Sequence, residues 1–411
     1  YIQMEIRRDI YLDKLILKKH NGLIKVITGV RRCGKSYLLF NLFREHLAGL
    51  NVPDDHIIEM AFDVFENKRY RDPEVFFPYM MEQIRDNEMY YVLLDEVQLL
   101  GDFESVLNSL LHRENIDVYV TGSNAKMLSK EVATTLGGRF LIYDAYPYSF
   151  KEYLTAQHVE LKEHWEYDTI QRSEVKRHLN EYFYYGGLPE ILLFKNKRAM
   201  LSSLYQKIYL GDICARNNIK NDRIMNILIK KMAESVKQPL SFNRLRNVIV
   251  STGSPISVPT TIDYVGYAAD SWLILPMENE VGKLTEKESQ KKYYFVDNGL
   301  LNLFLMNPET SLLENMVAVE LCRRYSKENV FYMNAEKEID FIVPEKKFAI
   351  QVSYSIKDYA TWDREVPPLM KYAKAHPDWK CLLITYDEES TEESLSVLPV
   401  WKWLLSSIGA E

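Results

Sequence analysis

The chain has 411 residues, 47% of them hydrophobic and 12% aromatic, and a formal net charge of −7. It is too long for a single core and too apolar for a disordered polymer, so two or three folded domains are expected. No apolar run reaches the length of a membrane span, and the acidic balance excludes a surface coated in basic charge while leaving room for a local basic patch.

The first residues, YIQMEIRR, are charged and offer no apolar stretch for a signal peptide. Cys33, Cys214, Cys322 and Cys381 lie far apart with no C-x-x-C pair. That spacing argues against a disulfide framework or a zinc site and for a reducing, cytoplasmic setting. An apolar run at 23–28 (LIKVIT) then leads into Gly29-Val-Arg-Arg-Cys33-Gly34-Lys35-Ser36, followed by the helical pattern of 37–43 (YLLFNLF). Strand, glycine turn and helix start are the context that a G-x-x-x-x-G-K-S phosphate loop requires. Gly29, Arg32, Cys33, Gly34, Lys35, Ser36 and Tyr37 are therefore expected to surround the phosphates of ATP. In this arrangement Lys35 reaches the β/γ oxygens and the Ser36 hydroxyl coordinates Mg²⁺. Cys33 reads as a tolerated loop residue.

A second apolar strand, 90–95, ends in Asp95-Glu96. Asp95 is expected in the Mg²⁺ shell and Glu96 beside the attacking water. A third strand at 115–120 runs into Thr121-Gly-Ser123-Asn124. Ser123 and Asn124 are candidates to sense the γ-phosphate, although Gly-Ser-Asn is also ordinary strand-end turn chemistry. Arg139, in LGGRF, precedes a further strand. It is a candidate arginine finger toward its own or a neighbouring subunit, or a surface cation paired with a carboxylate. Gly186-Gly187-Leu-Pro189-Glu190 is a tight turn followed by a helix start at Pro189.

The order GVRRCGKS, LLDEVQ, TGSN, LGGRF, YPYSFKEYL, GGLPE resembles a prokaryotic branch of the AAA-type ATPases, the archaeal ATPase and signal-transducing NTPase group. The resemblance covers roughly the first half of the chain. It implies an α/β parallel-sheet P-loop domain with a helical lid over residues 1–222, ATP and Mg²⁺ as cofactors, and a Gly-x-Pro element at Gly187 and Pro189 that links nucleotide state to the next domain.

From residue 224 the pattern changes to three short amphipathic helices, at 224–236, 241–249 and 257–267, with a two-stranded wing from 272–276 and 291–296. Helix, helix, helix, wing over 223–296 is the winged helix-turn-helix order. The outward residues of its third helix, Thr260, Thr261, Asp263 and Tyr264, include no cation, while Arg244, Arg246, Lys291 and Lys292 are placed to meet phosphates. DNA binding and packing between domains are both open on these residues.

Residues 297–411 run helix, strand, strand, strand. Glu320, Asp340, Gln351 and Ser353 fall where a restriction-endonuclease-like domain carries its helix carboxylate, its Asp and its Glu-x-Lys pair. The segment resembles that fold and the uncharacterised C-terminal domain accompanying this ATPase branch. Gln351 lacks the charge of a hard-metal ligand and Ser353 supplies no cation, so the resemblance implies a degenerate nuclease-like site unless Lys346, Lys347 or Lys357 substitutes in space. The polar stretch 387–394 reads as a solvated loop.

The expected function is ATP binding and hydrolysis coupled to the C-terminal half, with DNA or another protein as partner, no membrane, and a homo-oligomer where Arg139 acts in trans. A slow nucleotide-dependent switch and a metal-dependent nuclease are the alternatives.

Overall fold

The computed structural model describes residues 6–124, 134–335, 338–392 and 395–406, which fall into two compact units divided after Tyr146. Among the described residues no helix is long and apolar enough to cross a membrane.

The first unit is built on five parallel strands: β1 (Ile24–Thr28), β2 (Ile57–Ala61), β3 (Tyr90–Asp95), β4 (Ile116–Gly122) and β5 (Phe140–Asp144), in the order β2-β3-β4-β1-β5. Every residue of β1, β3 and β4 is buried, as near-continuous apolar runs in a parallel sheet covered by helices require. Their inward side chains join Phe76, Met80 and Leu107 in one core. The registers pair Thr28 with Gly122 and Leu94 with Val120, so the carboxyl ends of β1, β3 and β4 lie level. This edge of an open α/β sheet is where ligands bind.

The second unit begins with a capping box, Ser149 with Glu152, at the helix Phe150–Ala156. The segment 147–222, expected to be a lid on the first domain, belongs to this unit. Its long helix Thr169–Tyr185 is tied to the helix Asn298–Asn302: Asn298 donates to the Phe183 carbonyl at 3.0 Å and Asn302 to that of Tyr184 at 2.9 Å. The Gly186-Gly187 turn that follows needs its glycines. A Cβ on Gly187 would lie 2.3 Å from the Tyr148 carbonyl oxygen, and one on Gly186, at φ 75°, would lie 2.1 Å from Asp297 Oδ1.

Next come α1 (Asp222–Glu234), β6 (Leu240–Ser241), α2 (Phe242–Ser251), α3 (Val258–Asp270), β7 (Ile274–Met277) and β8 (Gln290–Phe295). Ser241 and Ser257 cap α2 and α3, and Pro259 sits in the first turn of α3. The strands form a small antiparallel sheet, β6-β8-β7.

The chain then enters the almost wholly buried helix α4 (Glu309–Tyr325), followed by β9 (Phe331–Asn334), β10 (Glu338–Val343), β11 (Phe348–Val352), α5 (Tyr359–Ala375), β12 (Lys380–Thr385), β13 (Ser390–Glu392) and β14 (Leu395–Pro399). The six strands form a mixed sheet, β13-β14-β12-β11-β10-β9. β10 runs antiparallel to both β9 and β11, whereas β12 is parallel to β11 because α5 carries the chain across. The solvated loop expected from residue 387 contains β13, which pairs with β14.

Candidate functional site

Gly29 to Gly34 turn the chain from β1 into a helix that starts at Lys35 and continues through a π-helical stretch, Leu38–Phe43. The turn needs left-handed backbone at Arg32 (φ 65°) and Gly34 (φ 95°). Gly29 is required for a different reason: a Cβ there would lie 2.2 Å from the carbonyl oxygen of Ala145. Cys33 is fully buried and its thiol points to that same oxygen at 3.4 Å. Lys35 is buried too, its ammonium donating to the carbonyls of Gly29 and Val30 at 3.0 Å each. Ser36 and Tyr37 are exposed at the head of the helix.

One network joins the three strand ends. The Ser36 hydroxyl donates to Asp95 Oδ2 at 2.7 Å, and Thr121 Oγ1 bonds to Asp95 Oδ1. The Glu96 amide donates to Thr121 Oγ1 at 3.1 Å. The Glu96 carboxylate accepts from Ser123 Oγ at 2.9 Å and from the Gln98 amide. Glu96 holds a left-handed conformation, φ 51°, which turns it off the strand axis. Burial raises the Asp95 pKa; the hydrogen bonds from Thr121 and Ser36 and the charge of Lys35 oppose that rise. Asn124 is buried one residue further on.

The structure therefore brings Lys35, Ser36, Asp95, Glu96 and Ser123 to one sheet edge. Thr121 and Gln98 are the members sequence reading missed, and the signal for Thr121 was its place as the last β-branched residue of a strand between the two acidic and phosphate-loop strands. Arg139 is not brought there. Its carbonyl accepts from Ile24 N at the amino end of β1, and β5 starts beside it, so a full strand of about 16 Å separates it from the loop. Its guanidinium bonds to Asn108 and, at 3.4 Å, to the Leu136 carbonyl. A contact from Arg139 to its own chain's phosphate loop is thus ruled out by strand direction. Pro189 opens the short turn Pro189–Leu193 of the second unit.

A second constellation lies in the C-terminal unit, where a cavity of about 600 Å³ is lined by Glu314, Glu338, Asp340, Gln351 and Ser353, among others. Asp340 sits where the β9–β10 register shifts, an irregularity of the kind that re-aims side chains. Its Oδ2 accepts from Val352 N at 2.9 Å, and its amide donates to Gln351 Oε1 at 3.2 Å. Gln351 Nε2 donates to Glu365 at 2.6 Å. Burial and the adjacent Glu314 raise the Asp340 pKa against the pull of Lys292.

Four expectations are corrected here. Glu320 does not supply the helix carboxylate: it faces Arg323 and Arg324 on its own helix, the latter at 2.7 Å, and Glu314, six residues earlier, lines the cavity instead. Lys346, Lys347 and Lys357 do not line it; Lys347 pairs with Asp378 at 2.6 Å. The lysine that enters the cluster is Lys292 of β8, expected on the surface but fully buried, 3.2 Å from Glu314, 2.9 Å from Glu338 and 3.5 Å from Asp340. Burial alone would lower its pKa, and the three carboxylates more than reverse that. Lys291 pairs with Glu278 at 2.9 Å, and Thr261, expected to face outward, is buried. Among the described residues no group of three or more His, Cys, Asp or Glu side chains is arranged to hold a metal ion.

Residues 21–154 match a family model described as an AAA domain, and residues 176–311 match one described as a domain of unknown function (DUF8612). The chain is 31% identical to an uncharacterized protein of Haemophilus influenzae over 97% of its own length and 98% of that protein's. It is also 31% identical to the uncharacterized protein MJ1544 of Methanocaldococcus jannaschii, over 98% and 91%. Among solved structures, the Walker-type ATPase PABY2304 of Pyrococcus abyssi aligns with a TM-score of 0.45 and 13% identity, over 73% of this chain and 95% of that one. The chain belongs to the family of the Haemophilus and Methanocaldococcus proteins, and its first unit is a P-loop domain of the AAA kind.

Proposed function

We propose that this family member binds ATP with Mg²⁺ and hydrolyses it, and that nucleotide state acts on a winged-helix segment and a nuclease-like C-terminal domain without nuclease activity. The observation that carries the reading is the network Ser36–Asp95–Thr121–Glu96–Ser123 on one sheet edge. The donor set suits a hard cation: a hydroxyl and a carboxylate oxygen 2.7 Å apart, both oxygen ligands. Mg²⁺ bound there would neutralise charge on the phosphate oxygens. Lys35 would exchange its two carbonyl partners for phosphate oxygens. Asp95 is held by Thr121 and Ser36, so its orientation is set before any ligand arrives. Glu96 would orient and deprotonate the attacking water, with Ser123 and Gln98 fixing its carboxylate.

A finger role for Arg139, at the far end of β1, would be toward another copy of the chain; the alternative is an ordinary cation bonded to Asn108. The order α1-β6-α2-α3-β7-β8 with β6-β8-β7 pairing supports a winged helix. Lys292 is buried and Lys291 pairs with Glu278, so neither of the two strand lysines expected to meet phosphates is placed to do so, which favours packing over DNA reading. The order α4-β9-β10-β11-α5-β12 supports a restriction-endonuclease-like domain, and Gln351 and Ser353 at its cavity favour a degenerate one.

Lys35→Ala should weaken ATP binding at least tenfold. Glu96→Gln should retain ATP and lose turnover by about 10²–10⁴-fold, the contribution of a positioned base. Unchanged ATP affinity in Lys35→Ala would refute the site, and unchanged turnover in Glu96→Gln would remove Glu96 from it.

A further inference from the structure

We propose that Lys292 is the resident cation of the Glu314–Glu338–Asp340 cluster: its ammonium takes the position a divalent ion would need, so this unit carries the cluster in a metal-free form. The inference rests on side-chain positions and does not depend on the nuclease-like reading. An ammonium has three N–H donors and no acceptor. Each of the three carboxylates offers Lys292 Nζ one oxygen, at 3.2, 2.9 and 3.5 Å. These are ammonium-to-carboxylate spacings, well beyond the roughly 2.0–2.6 Å of Mg²⁺ or Ca²⁺ to oxygen.

The cluster is held in place from behind. Tyr294 donates to Glu314 Oε1 at 2.8 Å, and Val352 N holds Asp340. Lys292 itself has no exposed surface, and a buried ammonium keeps its charge only when carboxylates compensate for lost water. The carboxylates in turn lose their repulsion only while the ammonium is there. Because Lys292 rides on β8 and its partners on α4 and β10, the same contact fastens the small three-stranded sheet to the C-terminal sheet. Removing the side chain beyond Cβ would leave three carboxylates facing the cavity of about 600 Å³, with room for a hydrated ion.

The test is Mn²⁺ binding to the full chain without nucleotide, followed by the electron paramagnetic resonance signal of free Mn²⁺. Four proteins are compared: wild type, Asp340→Asn, Lys292→Ala, and Lys292→Ala with Asp340→Asn. Wild type and Asp340→Asn should bind the same amount of Mn²⁺, any ion at the phosphate loop included. Lys292→Ala should take up one further equivalent, lost in the double variant. A wild-type equivalent that Asp340→Asn removes overturns the proposal, as does a folded Lys292→Ala that gains none. If Lys292→Ala does not fold, wild type against Asp340→Asn decides alone, equal binding supporting the proposal.

Discussion

Asp297→Asn should destabilise the second unit in a way that depends on pH with an unusual sign. Asp297 is buried, and its two oxygens accept three backbone N–H groups: Gly187 at 2.8 Å on Oδ2, Gly299 at 2.8 Å and Leu300 at 3.4 Å on Oδ1. Asparagine offers one acceptor oxygen, and its amide nitrogen would confront an N–H it cannot satisfy. Leaving one such donor unpaired in the interior costs about 1–3 kcal/mol. Burial also pushes the Asp297 pKa from 3.8 up to about 6, against the three N–H bonds and Arg323. A carboxyl with a raised native pKa binds more protons folded than unfolded between those two values. The contribution of Asp297 to stability therefore falls as pH rises from about 4 to about 6 and is constant above, a loss of about 3 kcal/mol at 1.36 kcal/mol per pH unit. Asparagine does not titrate. The stability gap between wild type and Asp297→Asn should accordingly be largest near pH 4 and narrow by up to about 3 kcal/mol toward pH 7. Urea unfolding of both proteins across that range measures it. A gap that stays constant or widens with pH would refute the reasoning.

Gly29→Ala should cost about 1–3 kcal/mol by overpacking, because the Ala145 carbonyl it meets is fixed backbone whose own amide bonds Thr28. At about 2–4 °C per kcal/mol its melting point should drop by several degrees, with weaker ATP binding; unchanged melting and affinity would show that the loop can shift. Glu320→Ala should lower stability by about 3–5 kcal/mol, since it removes the carboxylate that neutralises the largely buried Arg323 and Arg324, while Mn²⁺ binding and ATP turnover stay as in wild type. A change in Mn²⁺ binding would return Glu320 to the cavity.

The phosphate loop was legible because its chemistry is contiguous. Gly29, Gly34, Lys35 and Ser36 are set by local backbone demands, and the apolar strand before them and helix after them appear in the same stretch. Asp95-Glu96 and Thr121-Gly-Ser123 were legible for a related reason: each is the polar end of a wholly buried strand, and in a parallel sheet such ends fall on one edge. That they form a single hydrogen-bonded network through Thr121 depended on β4 lying between β1 and β3. The opposite holds for Arg139. Its place before β5 looked suggestive, but parallel strand direction sends it to the far end of the sheet.

The C-terminal half divides the same way. The sequence determined that a helix with carboxylates is followed by strands carrying Asp340 and Gln351, with Ser353 just past the end of the second. It did not distinguish Glu314 from Glu320, two carboxylates on one helix buried nearly all round, where periodicity gives no outward face. Only tertiary packing decided that Glu314 meets the cavity and Glu320 meets two arginines. Lys292 is the extreme case: among the lysines of an expected exposed wing, nothing local marks it as buried. Its partners lie 22, 46 and 48 residues away, and an ammonium takes its meaning from the charges that long-range strand pairing brings around it.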